Sequence, residues 1–272
     1  MNGSQLSKAL RSGQRVYGTL IVSTSPHWPA FVKSTGVDLV FIDTEHIAIE
    51  RTLLAWMCQT YRALGVAPIV RIPEPDPYRA CMALDGGASG IIAPYVETPE
   101  QVRKLYGAVK LRPVKGAVLE ARICGSAALP GETGAYVDER NAGNVLIINI
   151  ESTPALANLD AILEVPGIDA VLVGPHDLSC SLGVPEQYTD ALFLENIRYI
   201  IDTARKHGVG VGIHFWNNWQ QEVEWGKLGA NLIMHSGDIT LFSQKLREDL
   251  RRFREAFGDE ERADTGSREA VV

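Results

Sequence analysis

The chain has 272 residues, 46% of them hydrophobic, which is apolar material for one large core at a length common among α/β barrels. Its formal charge of −7 is made of both signs spread along the chain, which excludes the basic footprint of a nucleic-acid or anionic-membrane binder. The four cysteines lack CxxC spacing and no run is apolar for long enough to cross a bilayer, so packed cysteines in a reducing cytoplasm are the expectation.

Eight short apolar runs follow one another: VYGTLIV (16–22), DLVFID (38–43), APIVRI (67–72), GIIAPY (90–95), VLIINIE (145–151), AVLVGP (170–175), GVGIHF (210–215) and NLIMHS (231–236). Each precedes a longer stretch with helical spacing. Continuous rather than alternating apolar residues suit strands buried on both faces, and intervening helices make such strands parallel. Eight βα units close as a single (β/α)8 TIM barrel. The fourth crossover, residues 99–143, is long and contains LPGETGAY, which reads as a loop excursion and a candidate lid. The segment GDEERADTGSREAVV (258–272) is polar and reads as a frayed tail, leaving residues 1–257 as the barrel domain.

Catalytic groups of such barrels come from the C-terminal strand ends. Asp43 and His46 follow the second strand, Arg71 closes the third, Glu151 the fifth, Asp177 follows the sixth, and His214 closes the seventh. Ser236 and Asp238 follow the eighth. Polar residues at strand ends also simply meet water, but several strands converging on carboxylate, imidazole and guanidinium favour a catalytic mouth. Glu151 and Asp177, on adjacent strands, form either a hard-cation site for Mg²⁺ or Mn²⁺ completed by water and substrate oxygens, or a metal-free acid/base pair. Asp43, Glu45 and His46 lie within four residues, close enough for a carboxylate to hold the imidazole as a base, the alternative being a loop histidine that caps a helix. Arg71 is placed to stabilise an oxyanion. His27, His176, His214 and His235 border the same rim, where a lone histidine is more often a structural hydrogen-bonding group. Trp216, Trp219 and Trp225 read as a core or subunit-contact stripe.

Together FIDTEH, PIVRIP, LDGGASGIIAPYVET, INIE, LDAILEVPGIDAVLVGPHDLSCSLG and HSGDITLF, in that order, resemble the HpcH/HpaI aldolase family over roughly residues 18–241. The resemblance implies a metal-dependent aldolase that reversibly cleaves a 4-hydroxy-2-oxo acid to pyruvate and an aldehyde through a metal-stabilised pyruvate enolate. It implies Glu151 and Asp177 as ligands of Mg²⁺, Mn²⁺ or Co²⁺, His46 as the base, Arg71 as the transition-state stabiliser, and Asp85 as the carboxylate that raises the basicity of His46, a role open also to Asp43. No lysine Schiff base is required. Asn149, Pro175, His176, Asp177 and His214 are expected against the substrate. Asn149 stands where many members carry glutamine, and His176 and His214 are atypical, so these two histidines are expected to set the choice of aldehyde. The resemblance further implies a homo-oligomer, a hexamer by analogy, in which the last helix packs on a neighbour. A citryl-type or other oxo-acid lyase of the same superfamily, and a catalytically silent barrel used as a binding module, are the alternatives.

Overall fold

The structure is a computed structural model that describes residues 1–216 and 218–259. The tail expected at 258–272 lies, apart from its first two residues, outside the described residues. Helix α1 (Gly3–Ser12) precedes β1 (Val16–Ile21), α2 (Trp28–Ser34), β2 (Leu39–Asp43), α3 (Arg51–Ala63), β3 (Ala67–Arg71), α4 (Pro77–Asp85) and β4 (Gly90–Ala93). There follow α5 (Pro99–Lys110), α6 (Gly116–Ile123), α7 (Gly131–Asn141), β5 (Val145–Ile150), α8 (Thr153–Ala157), α9 (Leu159–Leu163), β6 (Ala170–Val173) and α10 (Pro175–Ser181). The chain closes with α11 (Ala191–Lys206), β7 (Gly210–Phe215), α12 (Trp219–Leu228), β8 (Leu232–Gly237) and α13 (Asp238–Phe257).

All eight expected strands form, and parallel pairing in sequence order closes the barrel through β1 and β8. Side chains alternate across the strands as the pleat requires. In β2, Leu39 and Phe41 enter the barrel interior with Ile69, Ile92, Ile147 and Leu172, while Val40 and Ile42 pack outward under the helices. Helix α1, which the strand pattern did not reveal, plugs the N-terminal end of the barrel with the fully buried Leu6 and Leu10. Its start is set by a capping box between Asn2 and Gln5. The opposite end stays open, so polar residues carried on the C-terminal strand ends line a cavity instead of a core.

The excursion at 99–143 is helical: Thr98 caps α5 through a second capping box, and LPGETGAY enters α7. It is not a lid within this chain. Helix α5 runs back from the open rim, so α6 and α7 follow at the plugged rim, where Lys110 donates to the Asn144 carbonyl and pairs with Asp169 at 2.6 Å. The cysteines divide too: Cys58 is buried, as packing requires, whereas Cys124 and Cys180 are exposed. No helix among the described residues is long and apolar enough to cross a membrane.

Candidate active site

At the open rim the strand ends enclose a cavity of about 290 Å³, lined by His46, Arg71, Asn149, Pro175, His176, Asp177 and His214 together with Phe41 and Trp216. Strand register builds one wall, because Asp43 of β2 stands beside Arg71 of β3. Arg71 grips Asp43 with a two-point fork, Nε and Nη2 each donating at 2.7 Å. Asp43 is fully buried and also accepts the backbone N–H groups of Glu45 and His46, at 3.0 and 3.3 Å. Burial alone would raise its carboxyl, but the Arg71 fork outweighs that and holds it below the usual carboxylate range. Breaking such a buried pair costs about 3–5 kcal/mol, so Arg71 is fixed in place before any ligand binds. Its Nη1 has no partner among the described residues and remains free to donate.

His46 is half-exposed, and its Nε2 lies 3.6 Å from Glu45 Oε1. Glu45, almost enclosed, also lies 3.1 Å from Arg71 Nε. The carboxylate facing the imidazole is therefore Glu45, and Asp43, spent on Arg71 and the loop backbone, reaches His46 only through its backbone N–H.

The facing wall is acidic. Glu151 is buried just past β5, and its oxygens accept the Tyr95 backbone N–H at 2.7 Å and the Asn149 amide at 2.9 Å. Asp177 stands in the first turn of α10. The two carboxylates meet across Gly174: a Cβ there would lie 2.9 Å from Glu151 Oε2 and 3.4 Å from Asp177 Oδ2. Burial pushes the Glu151 carboxyl up despite its two hydrogen bonds, and repulsion from Asp177 and Glu45 adds to the shift. A cation between the carboxylates would relieve that repulsion. Among the described residues no group of three or more His, Cys, Asp or Glu side chains is arranged to hold a metal. Two carboxylates with open positions nevertheless fit a hard cation that keeps waters and takes substrate oxygens as its remaining ligands.

The cavity floor carries two polar groups. Asn149 Oδ1 is buried without a partner among the described residues. His214 is enclosed between the rings of Phe41 and Trp216, with centroids 5.3 and 5.5 Å away, and its Nε2 lies 3.0 Å from the Ser236 carbonyl. A carbonyl only accepts, so Nε2 carries the proton. His176 is more exposed, with Nδ1 3.6 Å from Glu186.

A sequence profile of the HpcH/HpaI aldolase/citrate lyase family matches residues 18–243. The chain belongs to this family. A 2-keto-3-deoxy-L-rhamnonate aldolase of Klebsiella pneumoniae subsp. pneumoniae is 32% identical over 91% of this chain and 92% of its own. The structure of an HpcH/HpaI aldolase from Desulfitobacterium hafniense DCB-2 superposes with a TM-score of 0.79 at 26% identity, covering 92% of this chain and 96% of that one. A structure titled citrate synthase SbnG gives 0.79 at 26% identity over 93% and 99% of the two chains.

One expectation drawn from the HpcH/HpaI resemblance fails within this chain. Asp85 ends α4, at the plugged rim that leads into β4, and there it pairs with Arg112. His46 stands past the opposite end of β2, so Asp85 does not reach it here. The tryptophans do not form one stripe either: Trp216 lines the cavity, Trp225 is buried and Trp219 is exposed. His235 pairs with the buried Glu222 at 2.6 Å behind the barrel wall. Tyr95 and Gly174 were missed by the sequence reading, although both adjoin its strand-end prolines. Periodicity reports burial and does not report which backbone N–H faces a carboxylate.

Proposed function

We propose that this HpcH/HpaI family member works as a divalent-metal-dependent aldolase, reversibly cleaving a 4-hydroxy-2-oxo acid into pyruvate, or a close 2-oxo acid, and an aldehyde. The observation that carries this reading is the meeting of Glu151 and Asp177 across Gly174, opposite an arginine already locked by Asp43. These two carboxylates would hold Mg²⁺, Mn²⁺ or Co²⁺. The metal, when bound, supplies positive charge that lowers the cost of forming the enolate from the oxo acid.

This chain's residues supply the rest. Arg71 lines the cavity, and its Nη1, without a partner among the described residues, donates to the oxygen on which negative charge develops. His46 takes the proton from the C4 hydroxyl as the C3–C4 bond breaks, and returns it in condensation; its half-exposed position lets it exchange protons with water. Glu45 beside it favours the imidazolium formed in between. Asn149, Pro175, His176 and His214 line the space left for the aldehyde portion.

The likeness to the citrate synthase supports a second reading, a lyase or synthase of citryl type, which expects turnover of citrate or a citryl thioester. A silent binding barrel is disfavoured because the buried Glu151 would be repelled by Asp177 without a ligand to justify it. Residues 1–257 are taken as one catalytic domain in a cytoplasmic homo-oligomer. The support for assembly is α13, on which Ile239, Phe242, Leu246, Phe253 and Phe257 are all exposed while Asp238 alone is buried.

The deciding assay measures pyruvate released from a panel of 4-hydroxy-2-oxo acids, and aldol formation from pyruvate with an aldehyde panel, after chelation and after adding each metal. Activity is expected to vanish in chelator and return with Mg²⁺, Mn²⁺ or Co²⁺. Full turnover in chelator would sink the metal assignment, and turnover of citrate alone would favour the second reading.

A further inference from the structure

Tyr95 lies just past β4, and its backbone is left-handed with φ 53°. An aromatic residue rarely adopts this conformation unless its surroundings impose it, and such outliers gather at functional sites. Here the surroundings are specific. The Gln101 side-chain oxygen Oε1 accepts the N–H groups of Glu97 and Thr98, both at 2.9 Å, while its Nε2 donates to the Tyr95 backbone carbonyl at 3.1 Å. The Glu97 carboxylate accepts from Ser152 at 2.6 Å, and its carbonyl accepts from Asn158 at 2.8 Å. The turn after β4 is thus tied both to α5 and to the segment that follows Glu151.

Held in this way, Tyr95 aims its N–H at Glu151 Oε1, 2.7 Å distant. Tyr95 is 54% exposed, so apolar packing does not account for the strained backbone.

We propose that Tyr95 is a positioning residue whose backbone N–H, fixed in its left-handed turn by the Gln101 side chain, orients Glu151. The proposal rests on the reading of Glu151 as a metal ligand.

Two variants separate the backbone contact from the side chain. Tyr95→Phe removes only the hydroxyl; Gln101→Leu releases the Tyr95 carbonyl while Thr98 still caps α5. Circular dichroism checks folding, calorimetry measures Mn²⁺ affinity without turnover, and steady-state kinetics separate kcat from KM. Tyr95→Phe, which keeps the backbone N–H, is expected to hold Mn²⁺ affinity near wild type. Gln101→Leu is expected to weaken Mn²⁺ binding by roughly tenfold, as the loss of an outer-shell support does. Mn²⁺ affinity lowered as far in Tyr95→Phe as in Gln101→Leu would place the effect in the side chain and overturn the backbone's role. Unchanged Mn²⁺ affinity in folded Gln101→Leu would overturn the backbone's role. A wild-type protein that binds no Mn²⁺ would remove the metal reading and this proposal together, whereas metal-responsive wild type with unchanged variants removes this proposal alone.

Discussion

His214 offers a quantitative check on the cavity floor. Burial is the main cause that lowers its imidazole from the ordinary 6.5 to about 4; repulsion from Arg71 adds to this, and the Ser236 carbonyl opposes it. A folded-state value below the unfolded one means that the fold holds the neutral ring. The associated stability is fully present above the unfolded value and is lost as pH falls towards the folded one, because the unfolded chain takes up the proton first. At about 1.36 kcal/mol per pH unit below 6.5, lowering the pH from 7 to 5 should cost about 2 kcal/mol from this residue alone. Urea denaturation of wild type and His214→Phe at both pH values isolates the effect. Groups common to both proteins cancel, including Glu151, whose raised carboxyl acts in the opposite direction. The stability of wild type relative to the variant should fall by about 2 kcal/mol between pH 7 and pH 5. Parallel pH dependences would refute a neutral, enclosed His214. Since Nε2 bonds to Ser236, the neutral ring leaves Nδ1 as an acceptor, a hydrogen-bonding group rather than an acid.

Arg71→Lys keeps the charge but loses the fork to Asp43, so turnover should fall far more than Mn²⁺ affinity; an unchanged rate would remove the role given to Nη1. His46→Ala should lower kcat by roughly 10²–10⁴-fold with metal binding retained, read by steady-state kinetics beside calorimetry. His176→Ala should alter the ranking of aldehydes by roughly two- to tenfold while solvent exchange of the pyruvate C3 protons stays near wild type; parallel losses in both would place His176 against pyruvate instead. Phe242→Glu with Phe253→Glu puts charge on the exposed face of α13 and should lower the mass seen by light scattering; an unchanged mass would place the subunit contact elsewhere.

Strand identity was legible because burial on both faces leaves its mark residue by residue: Leu39, Val40, Phe41 and Ile42 are all inaccessible, and no polar residue could stand among them. Asp43, Arg71, Glu151 and Asp177 were legible for the converse reason, as charges where an apolar run stops. Helix α1 was not, since its apolar stripe is short and precedes the first strand. The lid expected from LPGETGAY failed because glycine and proline there open α7, at the rim to which α5 returns the chain.

The histidines and Asp85 mark the boundary between sequence position and chemistry. His176 and His214 both follow apolar runs, yet one is half-exposed beside Glu186 and the other is enclosed by Phe41 and Trp216. The same strand-end position therefore yields a group at the cavity edge in one case and a fixed acceptor on its floor in the other. Asp85 makes the point more sharply: its motif matches the family, but its own chain places it on the plugged rim, paired with Arg112. A linear motif gives the residue and its helix. It does not give the partner, which depends on the rim that the helix end reaches. Glu45 instead reaches His46 because both follow β2 on one short loop, and Asp43, whose side chain points back to Arg71, leaves that place open.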